Sequence, residues 1–250
     1  MKKLILLGIV VAFAYAQRAD ASLLINISAN AGSATCNNST AAGVIACGVA
    51  GFVTTLNANT ISYGPGFSVG GYNFNGVSGA AANVAGDVIF ANLSDSKLSI
   101  DHVSGAGDLT IQFAGWNYSL PAGPNMLLSA STTGLWNVAQ AGDSQIFQAW
   151  VRDDNTPTLP GGTATALSPI CNSGGPGITL SCATSSGDVA WLRTGAFFAI
   201  TGEEIIHQAI GSQASYQATV NVSAVPEPAT LSLMGISFLG LGFMRRRQQK

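Results

Sequence analysis

Nucleophilic hydrolysis needs a Ser or Cys, a His to take its proton and an acid to orient that His. The chain has two histidines, His102 and His207, so one of them would have to be the base. His102 follows Asp101, and neighbours on a strand point to opposite faces, which sets the pair apart. His207 continues the face of Ile205 in a stretch of strand character, and no G-x-S-x-G elbow occurs. Glycoside cleavage needs two carboxyl groups flanking the bond, and Asp153, Asp154, Glu203 and Glu204 are the candidates. Adjacent acids diverge on a strand, however, and "RDDNTP" has the composition of a turn. Asp153, Asp154 and Asn155 are where oxygen ligands for a structural calcium could gather, although the spacing of an EF-hand loop is missing. The expectation is a protein that is not an enzyme and carries no cofactor or catalytic metal.

Cys36 and Cys47, and Cys171 and Cys182, form two pairs with ten residues between the members of each. In an exported chain an even count reads as disulfides, and of the three pairings the matched gaps favour the two local ones. Zinc would want gaps of about two to four residues or a nearby His. Four tryptophans, Trp116, Trp136, Trp150 and Trp191, could stack on sugar rings, but large aromatics more often fill cores. Trp150 is the candidate for glycan stacking. Phe147, Ala149 and Val151 make one face of its strand, which leaves Trp150 on the other with Gln148 and Arg152.

The elements that carry these residues alternate with period two. Leu23, Ile25 and Ile27 share one phase, as do Leu109, Ile111 and Phe113, and "SYQATVNVSA" places Tyr216, Ala218, Val220, Val222 and Ala224 on one face. In "FSVGGYNFN" the phase slips by one residue at Gly70-Gly71, which reads as a β-bulge. Further strands are expected over 49–56, 88–93, 97–103, 126–131, 145–152, 178–182, 189–193, 197–201 and 204–210, with Gly- and Pro-rich turns between them. "PTLPGGTATALSP" has the least pattern and is expected to be a long loop. The fold class is all-β, an antiparallel β-sandwich or jelly roll.

Residues 22–225 hold ten acidic and three basic side chains, a balance of about −7. Phosphate binding needs clustered Lys and Arg, so nucleic acid is not an expected partner. Only 9% of the whole chain is charged, against roughly 25% in an ordinary domain. Ser, Thr, Asn and Gln must therefore wet the surface, as suits a sheet facing an extracellular medium.

The two ends describe a route. Lys2 and Lys3 precede "LILLGIVVAFAYA" and two Ala-x-Ala sites, which reads as a secretory signal over residues 1–21. Cleavage after Ala21 is preferred, because "SLLINIS" then opens the mature chain, with Ala16 as the alternative. At the other end Pro226, Glu227 and Pro228 precede 16 uncharged residues from Ala229 to Met244, then Arg245, Arg246 and Arg247. As one apolar helix this run spans about 24 Å, short of a hydrocarbon core of about 30 Å unless the bilayer thins and the arginines snorkel. The basic cluster keeps the C-terminal side in the cytoplasm and puts 22–225 outside. The two prolines fix φ and remove two N–H donors, so the triplet stays extended and unpaired, as a processing enzyme requires.

"VPEPATLSLMGISFLGLGFMRRR" resembles the PEP-CTERM sorting signal, with all three of its parts in residues 226–250. The resemblance implies recognition by an exosortase, in the cytoplasmic membrane of a Gram-negative bacterium that makes exopolysaccharide. It implies a membrane-anchored precursor facing the periplasm, and a mature form at the cell surface or in the extracellular polysaccharide matrix. Such proteins share a tail and a route rather than an activity. The body, through "FQAWV" and "FFAITGEEIIHQAIGSQASYQATVNVSA", loosely resembles the β-rich bodies that often precede this signal. The readings that follow are a non-catalytic matrix protein first, a carbohydrate-binding module or adhesin second, and a secreted glycoside-active enzyme third.

Overall fold

The computed structural model describes residues 22–30, 32–38, 46–47, 52–53, 59–83 and 90–225, without the side chains of 46–47, 52–53 and 178–179. The expected signal peptide over 1–21 and the sorting segment over 226–250 lie outside the described residues. In chain order the strands are β1 (Ser22–Ala29), β2 (Gly32–Asn37), β3 (Ala46–Cys47), β4 (Phe52–Val53), β5 (Thr60–Tyr63), β6 (Phe67–Val69), β7 (Tyr72–Phe74), β8 (Ser78–Ala82) and β9 (Phe90–His102). They continue with β10 (Leu109–Tyr118), β11 (Asn125–Ala139), β12 (Ser144–Arg152), β13 (Thr163–Ala164), β14 (Cys171–Asn172), β15 (Gly177–Ser185), β16 (Val189–Leu192), β17 (Phe198–His207) and β18 (Gln213–Ala224). No helix occurs among the described residues.

These strands form two antiparallel sheets. The first runs β13-β12-β17-β10-β1-β2-β3 with β14 also on β12. The second runs β15-β11-β18-β9-β8-β5-β4, with β16 on β11 and the β6–β7 hairpin on β9. From β9 onward the long strands alternate between sheets: β9, β11 and β18 belong to the second, and β10, β12 and β17 to the first. Side chains brought together across the core therefore come from strands far apart in sequence. The inward faces are the apolar phases expected from the sequence, since Leu23, Ile25, Ile27, Leu109, Ile111, Phe113, Ala218, Val220 and Val222 are all fully buried. Aromatic rings pack within each inward face, with Phe113 stacked on Phe147 at 5.8 Å on the first sheet and Trp136 edge-on to Tyr216 at 5.7 Å on the second.

The outer face of the first sheet meets water through short polar side chains. Thr35 Oγ1 donates to Asn26 Oδ1 (3.0 Å), Asn26 Nδ2 to Gln112 Oε1 (3.1 Å) and Gln112 Nε2 to Glu203 Oε2 (2.7 Å), a ladder across four strands. Cross-strand partners of this kind each contribute a few tenths of a kcal/mol, to about 1 kcal/mol.

Four expectations change. Gly70 and Gly71 form the two-residue turn of a hairpin rather than a bulge, because both have positive φ (53° and 93°) and Val69 pairs with Tyr72. A Cβ on Gly71 would lie 1.7 Å from the Ser104 carbonyl oxygen, so glycine is required there for space as well as for φ. Of the two strands expected over 88–93 and 97–103, the described residues 90–93 and 97–102 belong to the continuous β9. Its inward phase shifts between Lys97 and Ile100, where Ser99 has φ 53° and the pairing with β18 slips. Likewise the strands expected over 197–201 and 204–210 merge into one, β17, which covers 198–207. Gly202 does not break it but makes room, since a Cβ there would meet Phe113 at 2.7 Å and Phe147 at 2.9 Å. Finally, the unpatterned loop 157–169 extends the ladder of β12. Thr165 N donates to Ala149 O (2.9 Å), and Ser168 Oγ accepts from Phe147 N (2.9 Å). Of the strand expected over 49–56 the described part is Phe52–Val53.

Candidate functional site

The catalytic candidates disperse. His102 faces the core from β9, stacked on Tyr72 at 4.1 Å with its Nδ1 against the Gln208 carbonyl. Asp101 points the other way and accepts from Asn75 Nδ2 at 2.6 Å. His207 lies exposed at the end of β17, where Nδ1 meets Asp108 Oδ1 at 2.8 Å. Glu203 faces out and Glu204 in, as strand alternation requires. Asp153 caps the turn at Thr194, accepting from its N–H (3.2 Å) and hydroxyl (3.0 Å). Asp154 pairs with Arg152 and accepts from Thr156, and hydrogen bonding to Arg152 holds its carboxyl well below the usual range. Asn155 turns away to Asn117. Among the described residues no group of three or more His, Cys, Asp or Glu converges as metal ligands.

Trp150 requires a correction. It does sit on the face opposite Phe147, Ala149 and Val151, but only 8% of it is exposed. Edge strand β13 pairs alongside it, Trp150 with Ala164, and Gln148 on the same face donates to Thr165 O at 2.8 Å, so the loop the sequence leaves unpatterned lies against this end of the sheet. A ring with so little exposure offers little area to a sugar. Trp136 and Trp191 are buried as well.

Cys171 and Cys182 are bonded, with Cα atoms 5.6 Å apart, and the bond ties β14 of the first sheet to β15 of the second. Cys36 is disulfide-bonded, and the β2–β3 register sets it directly opposite Cys47, as the expected local pair requires.

The feature that strand-by-strand reading missed lies at the centre of the core. Lys97 Nζ, from β9, is 2.9 Å from Asp95 Oδ2 on its own strand and in contact with Glu204 Oε2 of β17 on the opposite sheet. Gln145 Nε2 of β12 donates to Glu204 Oε1 and to Thr132 Oγ1, and Tyr63 OH donates to Asp95 Oδ1 at 3.3 Å. Lys97, Asp95, Glu204 and Gln145 are all fully buried. Burial pushes the carboxyls of Asp95 and Glu204 up, against the pull of Lys97. For Lys97 burial opposes the charge, but Asp95 and Glu204 overcome it and the ammonium pKa rises. A signal existed: Leu93, Asp95 and Lys97 share one parity in "NLSDSK". Dividing β9 into two strands removed it from view.

The body's other two bases are engaged elsewhere. Arg152 pairs with Asp154, and Arg193 donates to the carbonyls of Ser119, Pro121, Gly195 and Ala196 while lying 4.9 Å over the Phe198 ring. On the outer face of the second sheet, Ser96, Leu98, Thr133, Leu135, Ser181 and Gln217 line an open groove of about 440 Å³ that carries no charge.

β18 ends at Ala224, and Val225 N still donates to Asn125 O at 2.9 Å, so the ordered ladder reaches the residue before Pro226. Pro226, Glu227, Pro228 and Arg245 to Arg247 lie outside the described residues. No curated protein matches the chain. Among solved structures it is similar to the infectious bursal disease virus VP2 subviral particle (11% identity, 91% of this chain and 70% of that one, TM-score 0.16). It is similar also to the T=1 particles derived from infectious bursal virus (12%, 91% and 67%, TM-score 0.14). Scores of this size establish no shared fold. Residues 224–248 match the model of the PEP-CTERM protein-sorting motif. That motif is one of exosortase-targeted secreted proteins, made as membrane-anchored precursors. The chain thus carries, from the end of its last described strand onward, a PEP-CTERM protein-sorting motif.

Proposed function

We propose that this is a non-catalytic, exported β-sandwich protein, cut by an exosortase at or near Pro226 to Pro228 and retained in the extracellular polysaccharide matrix or at the cell surface. The motif match over 224–248 carries the reading. Three features support it. The ladder runs to the residue before Pro226, so the folded body sits at the periplasmic face of the cytoplasmic membrane until the tail is removed. The catalytic candidates point away from one another, and the surface is wetted by amide and hydroxyl groups that suit a hydrated polysaccharide.

A carbohydrate-binding or adhesive role is the second reading, and the uncharged groove on the second sheet favours it over Trp150 as the contact surface. The test of the leading reading is intact-mass analysis of extracellular material. The expected species lacks roughly the last two dozen residues, while Glu227→Ala or deletion of the exosortase leaves the longer, membrane-bound form. Extracellular protein still ending at Lys250 would refute it.

A further inference from the structure

Lysine is almost never fully buried. Of the four lysines in the sequence, Lys97 is the one between Lys3 and Lys250, and it is fully buried. Its partners are not arranged as a simple ion pair. Glu204 reaches it from the opposite sheet, 107 residues away in sequence, with one carboxyl oxygen on Nζ and the other on the side-chain amide of Gln145. Asp95 stands on another side of the same Nζ at 2.9 Å, oriented by the Tyr63 hydroxyl. An amine, an acyl carbon, a donor on the acyl oxygen and a second carboxylate to move protons are the parts of an amide-forming site.

We propose that Lys97 and Glu204 condense to a side-chain amide that covalently joins the two sheets, with Asp95 as proton relay. Asp95 Oδ2 takes a proton from the ammonium, which frees the Nζ lone pair to attack Cδ of Glu204. Negative charge developing on Oε1 is met by the Gln145 N–H, a fixed donor in a site closed to water. The C–Oε2 bond then breaks. Of the three protons on Nζ, one stays as the amide N–H and two pass to Oε2 through Asp95, leaving as one water. Lysine ammonium and glutamate carboxylate thereby become amide and water, Asp95 returns to a carboxylate, and no oxidant or cofactor is consumed.

Two physical arguments favour the product. Free amines and carboxylates do not condense in bulk water, but groups held in contact by a fold act at effective concentrations of about 10⁵–10⁸ M. The uncondensed cluster also keeps one ammonium and two carboxylates in an apolar core, among Ile111, Phe147, Tyr216 and Ala218, where desolvation is costly. Condensation removes two of the three charges and leaves an N–H for Asp95 to accept. Burial of Glu204, which favours its neutral and more electrophilic form, acts in the same direction.

Lys97 is the one site in the body for a lysine-specific protease, so the test is direct. The exported protein is purified from cells, reduced, denatured and digested with that protease. The expected result is a body uncut after Lys97 and lighter by the mass of one water, which on a second digestion with a protease of other specificity gives peptides containing Lys97 and Glu204 joined in tandem mass spectra. Cleavage after Lys97 into two fragments of full mass overturns the proposal, and so does an amide joining Lys97 to Asp95 instead. Asp95→Asn, which keeps the shape and removes the relay, should fold and become cleavable after Lys97. A linked Asp95→Asn protein would overturn the role given to Asp95. The wild-type digest decides the cross-link whether or not that variant folds.

Discussion

Replacing Cys171 and Cys182 together by alanine tests how far the sandwich depends on its edge staple. The bonded residues are 11 apart in sequence, so the closed loop has about a dozen members. In the chain-entropy model that loop removes about 9.5 cal/mol/K from the unfolded ensemble, or about 3 kcal/mol at 25 °C. Cys171 is fully buried, and the methyl-sized void left by its sulfur adds about 1 kcal/mol. Alanine is the right replacement, because serine would bury an extra hydroxyl. The total of about 4 kcal/mol is a large share of the 5–15 kcal/mol typical of a domain, yet leaves it folded. An amide between Lys97 and Glu204 would not change the figure, since the cysteine loop lies inside that larger one and closes independently. The assay is urea unfolding followed by tryptophan fluorescence. With a slope of about 2 kcal/mol/M, the midpoint should fall by about 2 M. A fall of less than about 0.5 M, with the slope unchanged, would refute the reasoning and mean that the unfolded chain is already confined near residues 171–182.

Two other outcomes follow from the core. Trp150→Ala should behave as a large-to-small change in a covered position, costing about 3–5 kcal/mol in thermal or urea unfolding without selective loss of glycan binding; a stable variant that specifically loses a glycan would restore Trp150 as a contact. The four body tyrosines should make the fold sensitive to alkali. Burial chiefly raises the pKa of Tyr63, Tyr118 and Tyr216, and burial followed by Asp108 pushes Tyr72 up to about 12. Their unfolded values lie near 10, so above that pH the unfolded chain loses protons the folded one keeps. This contribution is intact below about pH 10 and declines as pH climbs towards 12. Absorbance titration should show phenolate arising together with unfolding, whereas gradual ionisation near pH 10 in a folded protein would refute it.

Period-two alternation was enough to identify the all-β class and the inward face of β1, β10 and β18, because a strand with one buried face must alternate whatever its partners are. The spacing of Cys171 and Cys182 indicated their bond, and the tail announced its route, since a sorting signal is read as a local string of prolines, apolar residues and arginines. Breaks were read less well. Gly202 and the run Ser94-Asp95-Ser96 look like breaks between strands in isolation, and Gly70-Gly71 looks like a bulge; a glycine's role depends on what approaches it, the rings of Phe113 and Phe147 in one case and the Ser104 carbonyl in another. The cover over Trp150 was invisible for the same reason, as β13 and Thr165 reach β12 from a loop without pattern. The buried cluster is the clearest division between the two levels. Parity alone turns Asp95 and Lys97 inward together, but the sequence could not say that Glu204, 107 residues on, would meet them. That meeting exists because the chain alternates between sheets, which puts β9 and β17 on opposite sides of one core, and a contact across a core is decided by the packing of whole sheets and not by any local run of residues.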